Sequence, residues 1–155
     1  MSAKYKQIED NIHSKRESGL EVYLTENKGR GVFATCSFSR NDFVCEYAGE
    51  MISYAEAKQL EKKYALDTSI GCYMYFFEYK AKTYCVDATA ESNRLGRLFN
   101  HSRQLSNCQT KVFEMNNRLA LIFQAKRDIS PGEELTIDYG DRTRRTVQSF
   151  PWLAE

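Results

Sequence analysis

Apolar positions in this chain recur mostly at strand spacing, in short runs broken by polar turns, and only a few stretches keep a helical period. Tyr5, Ile8 and Ile12 share one helical face, which predicts a helical arm over residues about 3 to 17, with Gly19 as its stop. Leu20 to Thr25 and Val32 to Thr35 read as short strands around a Lys28-Gly-Arg-Gly31 turn. Phe43 to Ile52 is rich in β-forming residues, and Ser53-Tyr-Ala-Glu56 is a capping box opening a helix to about Leu66. Cys72 to Tyr79 and Thr83 to Val86 form one expected hairpin. Lys111 to Met115 and Arg118 to Gln124 form a second across Asn116-Asn117, a pair suited to a primed turn. Ser130-Pro-Gly132 turns the chain into a last strand, Leu135 to Ile137, before a short helix over residues 143 to 150 and an aromatic tail, Phe150-Pro-Trp152.

Many short strands with two or three helices imply a β-dominated α+β domain. The 155 residues suit one such domain with a real core, and 42% hydrophobic with 28% charged residues is an ordinary folded composition. Apolar runs such as Leu119 to Phe123 are far short of a membrane span. The formal net charge is +1, but Lys4, Lys6, Lys15 and Arg16 gather at one end and Arg142, Arg144 and Arg145 at the other. They form no continuous basic stripe, which argues against a dedicated nucleic-acid-binding domain. The five cysteines are scattered without the close spacing of a zinc site, so no metal is expected and they read as free thiols.

Three segments carry candidate chemistry: Gly29-Arg-Gly31, Arg94-Leu-Gly-Arg-Leu-Phe-Asn-His-Ser102 and Glu134-Leu-Thr-Ile-Asp-Tyr-Gly140. Taken singly, each has a plain structural reading: a turn between strands, an Asn-led turn, and a core tyrosine at a strand end. Together and in this order they resemble the signature segments of SET-domain lysine methyltransferases. Thr68-Ser-Ile-Gly-Cys-Tyr-Met-Tyr75, Lys82-Thr-Tyr-Cys-Val-Asp-Ala-Thr89, Asn107-Cys-Gln-Thr-Lys111 and the Pro-Trp-Leu ending are similar to one subfamily, which monomethylates lysine 20 of histone H4.

The resemblance implies a SET-domain fold of short curved sheets, with a knot-like C-terminal crossing and no zinc modules. It implies an arm over residues 1–18, the domain over 19–142, and a tail over 143–155 that closes the cofactor site. The implied cofactor is S-adenosyl-L-methionine, leaving as S-adenosyl-L-homocysteine, with Tyr139 as the catalytic residue. Lys28, Gly29, Arg30, Tyr73, Asn100, His101 and Trp152 match its cofactor-binding positions. Tyr47, Cys72, Tyr73, Ile137 and Tyr139 match the lysine channel, while Arg97 matches a supporting position. For Tyr47 and Tyr73 strand packing is the competing reading, and for Trp152 it is docking of the tail onto the core.

Methyl transfer to an amine needs a held donor, an aimed neutral amine and exclusion of water, and ten tyrosines with nine phenylalanines suit such walls. The expected partner is a histone H4 tail or nucleosome, with non-specific nucleosomal DNA contact from the basic ends. Glu46, Glu50, Asp87, Glu91 and Asp141 are candidate acidic contacts for a basic tail. The chain is expected to act as a nuclear, chromatin-associated monomer without membrane contact. A non-histone lysine substrate, or a silent module that binds histone tails, stays open at this point. Ile137 departs from the subfamily, which carries a tyrosine there; isoleucine has no hydroxyl to hold a water in the channel, so dimethylation is open as well.

Overall fold

The computed structural model describes residues 3–26, 28–67, 73–90, 92–115 and 118–138. Cys72, the Asn116-Asn117 turn, Tyr139, the helix expected over 143–150 and Trp152 lie outside the described residues.

The first helix, α1 (Ala3–His13), is shorter than its apolar spacing predicts. Arg16 N–H donates to Asn11 C=O at 3.0 Å and Lys15 N–H to Ile12 C=O at 3.0 Å, with Lys15 at φ 55°. This is a Schellman stop with lysine in the left-handed position that glycine ordinarily takes. Gly19 therefore does not stop the helix; it precedes the first strand at φ 82°. The second helix, α2 (Tyr54–Ala65), starts at the capping box: Ser53 Oγ accepts from Glu56 N–H at 3.2 Å and donates to its carboxylate at 3.2 Å.

Strands β1 (Leu20–Leu24) and β2 (Arg30–Ala34) pair antiparallel, so Gly31 lies within a strand and the turn falls one step earlier. The expected Phe43–Ile52 run divides into β3 (Phe43–Glu46) and β4 (Glu50–Ser53), which join different sheets. Strands β5 (Met74–Tyr79) and β6 (Lys82–Asp87) form a hairpin through Lys80 and Ala81, both at positive φ. A 3-10 turn over Gly96–Leu98 leads into β7, which is only Asn100–His101. Strand β8 (Cys108–Met115) begins earlier than its sequence pattern suggests and pairs with β9 (Arg118–Ala125). Strand β10 (Glu134–Ile137) closes the order.

The three sheets run β1-β2-β10-β7, β3-β9-β8 and β4-β6-β5. Two strands are covered on both faces, which explains their near-continuous apolar runs. In β9, Leu121 and Phe123 enter the main core while Ala120 and Ile122 pack with Ile12 of α1. In β5, Tyr75 and Phe77 enter the main core while Met74 and Phe76 pack with Ala57 of α2.

The feature that positions the site is β10, which lies between β2 and β7. It is antiparallel to β2 (Leu135 opposite Val32) and parallel to β7 (Thr136 opposite Asn100, Ile137 opposite His101). Ser102 N–H extends the parallel ladder onto Ile137 C=O at 2.9 Å. The Asn107 side chain, 2% exposed, donates to Glu134 C=O at 2.9 Å and accepts from Thr136 N–H at 3.0 Å. It thus spans Leu135 and satisfies two backbone groups of β10.

A left-handed lysine costs roughly 1–2 kcal/mol that glycine does not pay, offset in part by the freer unfolded chain. Lys15→Gly should therefore stabilise the fold by about 0.5–1 kcal/mol, read as a raised midpoint in urea unfolding with unchanged slope.

Candidate active site

The centre of the site is the junction of β2, β7 and β10. Asn100, 7% exposed, donates from Nδ2 to Arg30 C=O at 3.1 Å and to Glu134 Oε2 at 2.8 Å. Both amide protons are thereby engaged, and what remains to offer is the acceptor oxygen. A Cβ on Gly31 would come within 2.7 Å of Glu134 Oε2 and 3.0 Å of Asn100 Nδ2. Only glycine lets this carboxylate and amide meet beside β2.

Lys28 reaches the same junction from the turn between β1 and β2. Its ammonium donates to His101 C=O at 3.1 Å. The turn is closed by Thr25, whose hydroxyl accepts from Lys28 N–H at 2.9 Å and donates to Gly29 C=O at 2.8 Å. Gly29 has φ 72°, and a Cβ there would meet nothing within 4 Å, so this face of the turn is open. His101 is 3% exposed, with Nδ1 3.8 Å from Asp138 Oδ1, and Asp138 is the residue before Tyr139.

Thus Lys28, Gly29, Arg30, Asn100 and His101 converge. They present an ammonium, an amide and backbone carbonyls, with the Glu134 carboxylate beside them, the donor and acceptor set that a zwitterionic amino-acid group with an adjacent cation requires. S-adenosylmethionine is such a molecule, and the residues present fit it.

Ile137 lies in the junction itself, opposite His101, and its side chain enters the main core, where Tyr47 is buried and against which Tyr73 packs. Tyr47 is 2% exposed and packs on Tyr75 and Phe123 with ring centroids 5.5 and 5.9 Å away. Ile137 is fully buried in the same apolar cluster, and Tyr73 packs against that cluster. The Tyr73 ring lies under the Arg97 guanidinium, 3.9 Å from ring centroid to Cζ. Arg97, 4% exposed, donates to Ala88 C=O at 2.7 Å and to Thr89 C=O at 3.3 Å.

Two of the candidate acidic contacts are engaged within the protein. Glu46 pairs with Arg118 at 3.1 Å and Arg94 at 3.7 Å, and Asp87 accepts from Tyr64 Oη at 2.7 Å. Arg94 also pairs with Glu17 at 3.2 Å, which ties the segment after α1 to the signature turn. Burial pushes the Cys108 thiol up to about 12 and holds Cys45 well above the ordinary thiol range, so both stay protonated near neutrality. Among the described residues no group of three His, Cys, Asp or Glu side chains is placed to hold a metal.

Sequence reasoning missed Asn107, Glu134, Thr25 and Glu17. Each acts on a backbone group or a partner far along the chain, and a lone polar residue in a turn gives no sign of that.

The family model for the SET domain matches residues 29–140. The chain is 49% identical to N-lysine methyltransferase KMT5A of Xenopus tropicalis over 152 residues, covering 98% of this chain and 45% of that protein. It is 50% identical to histone-lysine N-methyltransferase Set8 of Drosophila melanogaster over 147 residues, 95% of this chain and 21% of that protein. The chain therefore spans less than half the length of these curated relatives. The crystal structure of CpSET8 from Cryptosporidium superposes with TM-score 0.81 at 45% identity, covering 91% of this chain and 67% of that one. The matched region takes in most of the chain and all of β2, β7 and β10, and the chain belongs to the SET domain family.

Proposed function

We propose that this chain is the catalytic part of an S-adenosylmethionine-dependent protein-lysine methyltransferase whose substrate is lysine 20 of histone H4. The observation that carries this is the convergence of Lys28, Arg30, Asn100 and His101 at the strand that runs into Asp138 and Tyr139. The relatives' names give the same reaction: lysine methyltransferase in the frog, histone-lysine methyltransferase in the fly.

When bound, S-adenosylmethionine supplies an activated methyl group on a sulfonium. Lys28, Gly29, Arg30, Asn100 and His101 would hold its amino-acid end and adenine edge. Tyr73 would add an aromatic wall, and Trp152, in the tail over residues 143–155 that would close the pocket, would offer an aromatic face to the adenine. The domain proper spans 19–142 and the arm 1–18. Tyr47, Cys72, Tyr73, Ile137 and Tyr139 line the lysine channel. The Tyr139 hydroxyl orients the neutral amine and favours the charge distribution of the transition state, a contribution to turnover more than to binding. The aromatic and aliphatic channel wall excludes water, which removes competing hydration of the amine. In this reading the protein works on chromatin in the nucleus, as a monomer, with its basic ends touching nucleosomal DNA.

Mass spectrometry of nucleosomes, histone octamers and H4 peptides after incubation with labelled S-adenosylmethionine tests the assignment. Label on H4 lysine 20 supports it. Label on another histone lysine alone would move the substrate, and cofactor binding without transfer to any of these would contradict the assignment and leave a non-histone substrate or a silent histone-binding module. In the same assay Tyr139→Phe should lose at least tenfold in kcat while cofactor affinity stays within about twofold. Full turnover by that variant would remove Tyr139 from the role.

Ile137 sets the second expectation. An apolar side chain at this position holds no water by hydrogen bonding, so the space it leaves accepts a methyl more readily. Some dimethyl product should accumulate on long incubation, and Ile137→Tyr should restore a sharper stop at one methyl. Purely monomethyl spectra from both unmodified and monomethylated peptides would contradict this.

A further inference from the structure

Tyr73 is held at three points, and all three are fixed by the two residues that follow β6. Its carbonyl accepts from Ala88 N–H at 2.8 Å. Its own N–H donates to Thr89 Oγ1 at 3.2 Å. Its ring lies under Arg97, which is anchored to the carbonyls of the same Ala88 and Thr89. Wherever the Ala88-Thr89 pair moves, the backbone and ring of Tyr73 must follow.

What sets that pair is the Asp87 carboxylate. Asp87 Oδ1 accepts from Thr89 N–H at 3.0 Å, a local turn that bends the chain out of β6. Its Oδ2 accepts from Tyr64 Oη at 2.7 Å, on the last turn of α2. Asp87 itself is half-buried at the end of β6, opposite Glu50 of β4 and Met74 of β5. One carboxylate therefore ties α2 to the exit of β6, and through it to Tyr73. A short charge-assisted bond to a phenol is among the stronger tethers available to a side chain.

We propose that Asp87, held by Tyr64, is a positioning residue that fixes the Tyr73 ring as a wall of the cofactor and lysine site. This rests on the function proposed above for Tyr73. The lever matters more in this chain because Ile137 leaves the wall with one hydroxyl fewer, so the placement of the remaining aromatics decides how tightly the site closes.

The test is S-adenosylmethionine titration of Asp87→Ala, Asp87→Asn and Tyr64→Phe, each with Tyr73 intact and with Tyr73→Ala. It is paired with hydrogen exchange at the Tyr73 amide without cofactor. Asp87→Ala should weaken binding roughly tenfold and speed Tyr73 amide exchange by a similar factor. Asp87→Asn should largely rescue both, because its amide oxygen still accepts from Thr89 and its amide group can donate to the Tyr64 hydroxyl. Tyr64→Phe, the milder change if Asp87→Ala fails to fold, should fall between. With Tyr73→Ala already present, the Asp87→Ala loss in affinity should vanish, since its route to the site is gone. An equal loss in both backgrounds, or unchanged affinity in all three variants, would overturn the positioning role. If the wild type itself bound no S-adenosylmethionine, the function reading would fall. The positioning claim would then be decided by exchange alone, with unchanged Tyr73 protection in Asp87→Ala and Tyr64→Phe refuting it.

Discussion

The parallel pairing of β7 with β10 is the constraint on which the rest depends. Two-residue strands do not persist by themselves, because a few ladder bonds do not offset the entropy of closing the long intervening loop. Here the pairing is held from both sides. Asn107 takes one carbonyl and one N–H of β10, while Asn100 of β7 joins the Arg30 carbonyl of β2 to the Glu134 carboxylate of β10. Leu135 and Ile137, both fully buried, supply the apolar contribution between these polar ties. Buried amide side chains that satisfy backbone groups are costly to remove, since each loss strands a desolvated partner at about 1–3 kcal/mol. The same bonds that close the fold thereby set Asn100 and His101 next to the Lys28 turn, so that in the proposed function stability and cofactor binding share one set of atoms.

Around that junction the chain spends charge on long-range ties. Glu17, Arg94, Glu46 and Arg118 form a chain of ion pairs that runs from the segment after α1 to β9. Glu17 and Glu46 are largely buried, so these pairs are screened less than surface ones, and breaking one would leave a charge without its partner. Glu46 immediately precedes Tyr47, so the network bears on the aromatic wall as well as on the arm. The expected acidic face toward a basic tail is reduced accordingly: Glu46 and Asp87 spend their charge within the domain.

What the sequence made legible was local or signature-borne. The capping box at Ser53 was readable because both partners lie within four residues. The strand content was readable because β-branched and aromatic runs are short and bounded by turns. The family resemblance singled out Asn100 and His101, and the structure sets both against β10. Other features were set by tertiary contacts that local pattern does not encode. Lys15 and Lys80-Ala81 take left-handed conformations usually left to glycine or asparagine. The Phe43–Ile52 run splits because its two halves pair with different partners, β9 and β6. Strand β7 was invisible because its partner among the described residues is β10, far along the chain. Asn107 stood in a segment similar to the subfamily, but nothing in the sequence showed the two bonds it makes across Leu135.

In the proposed function, the cofactor site depends on β10 being locked against β7. The most direct measurement is the S-adenosylmethionine dissociation constant of Asn107→Ala, taken with hydrogen exchange at the Thr136 and Ser102 amides of the folded variant. Both amides should lose protection, and affinity should fall with them by a factor of ten or more for roughly 2 kcal/mol of lost closure. Faster exchange at Thr136 and Ser102 with unchanged cofactor affinity would contradict that dependence.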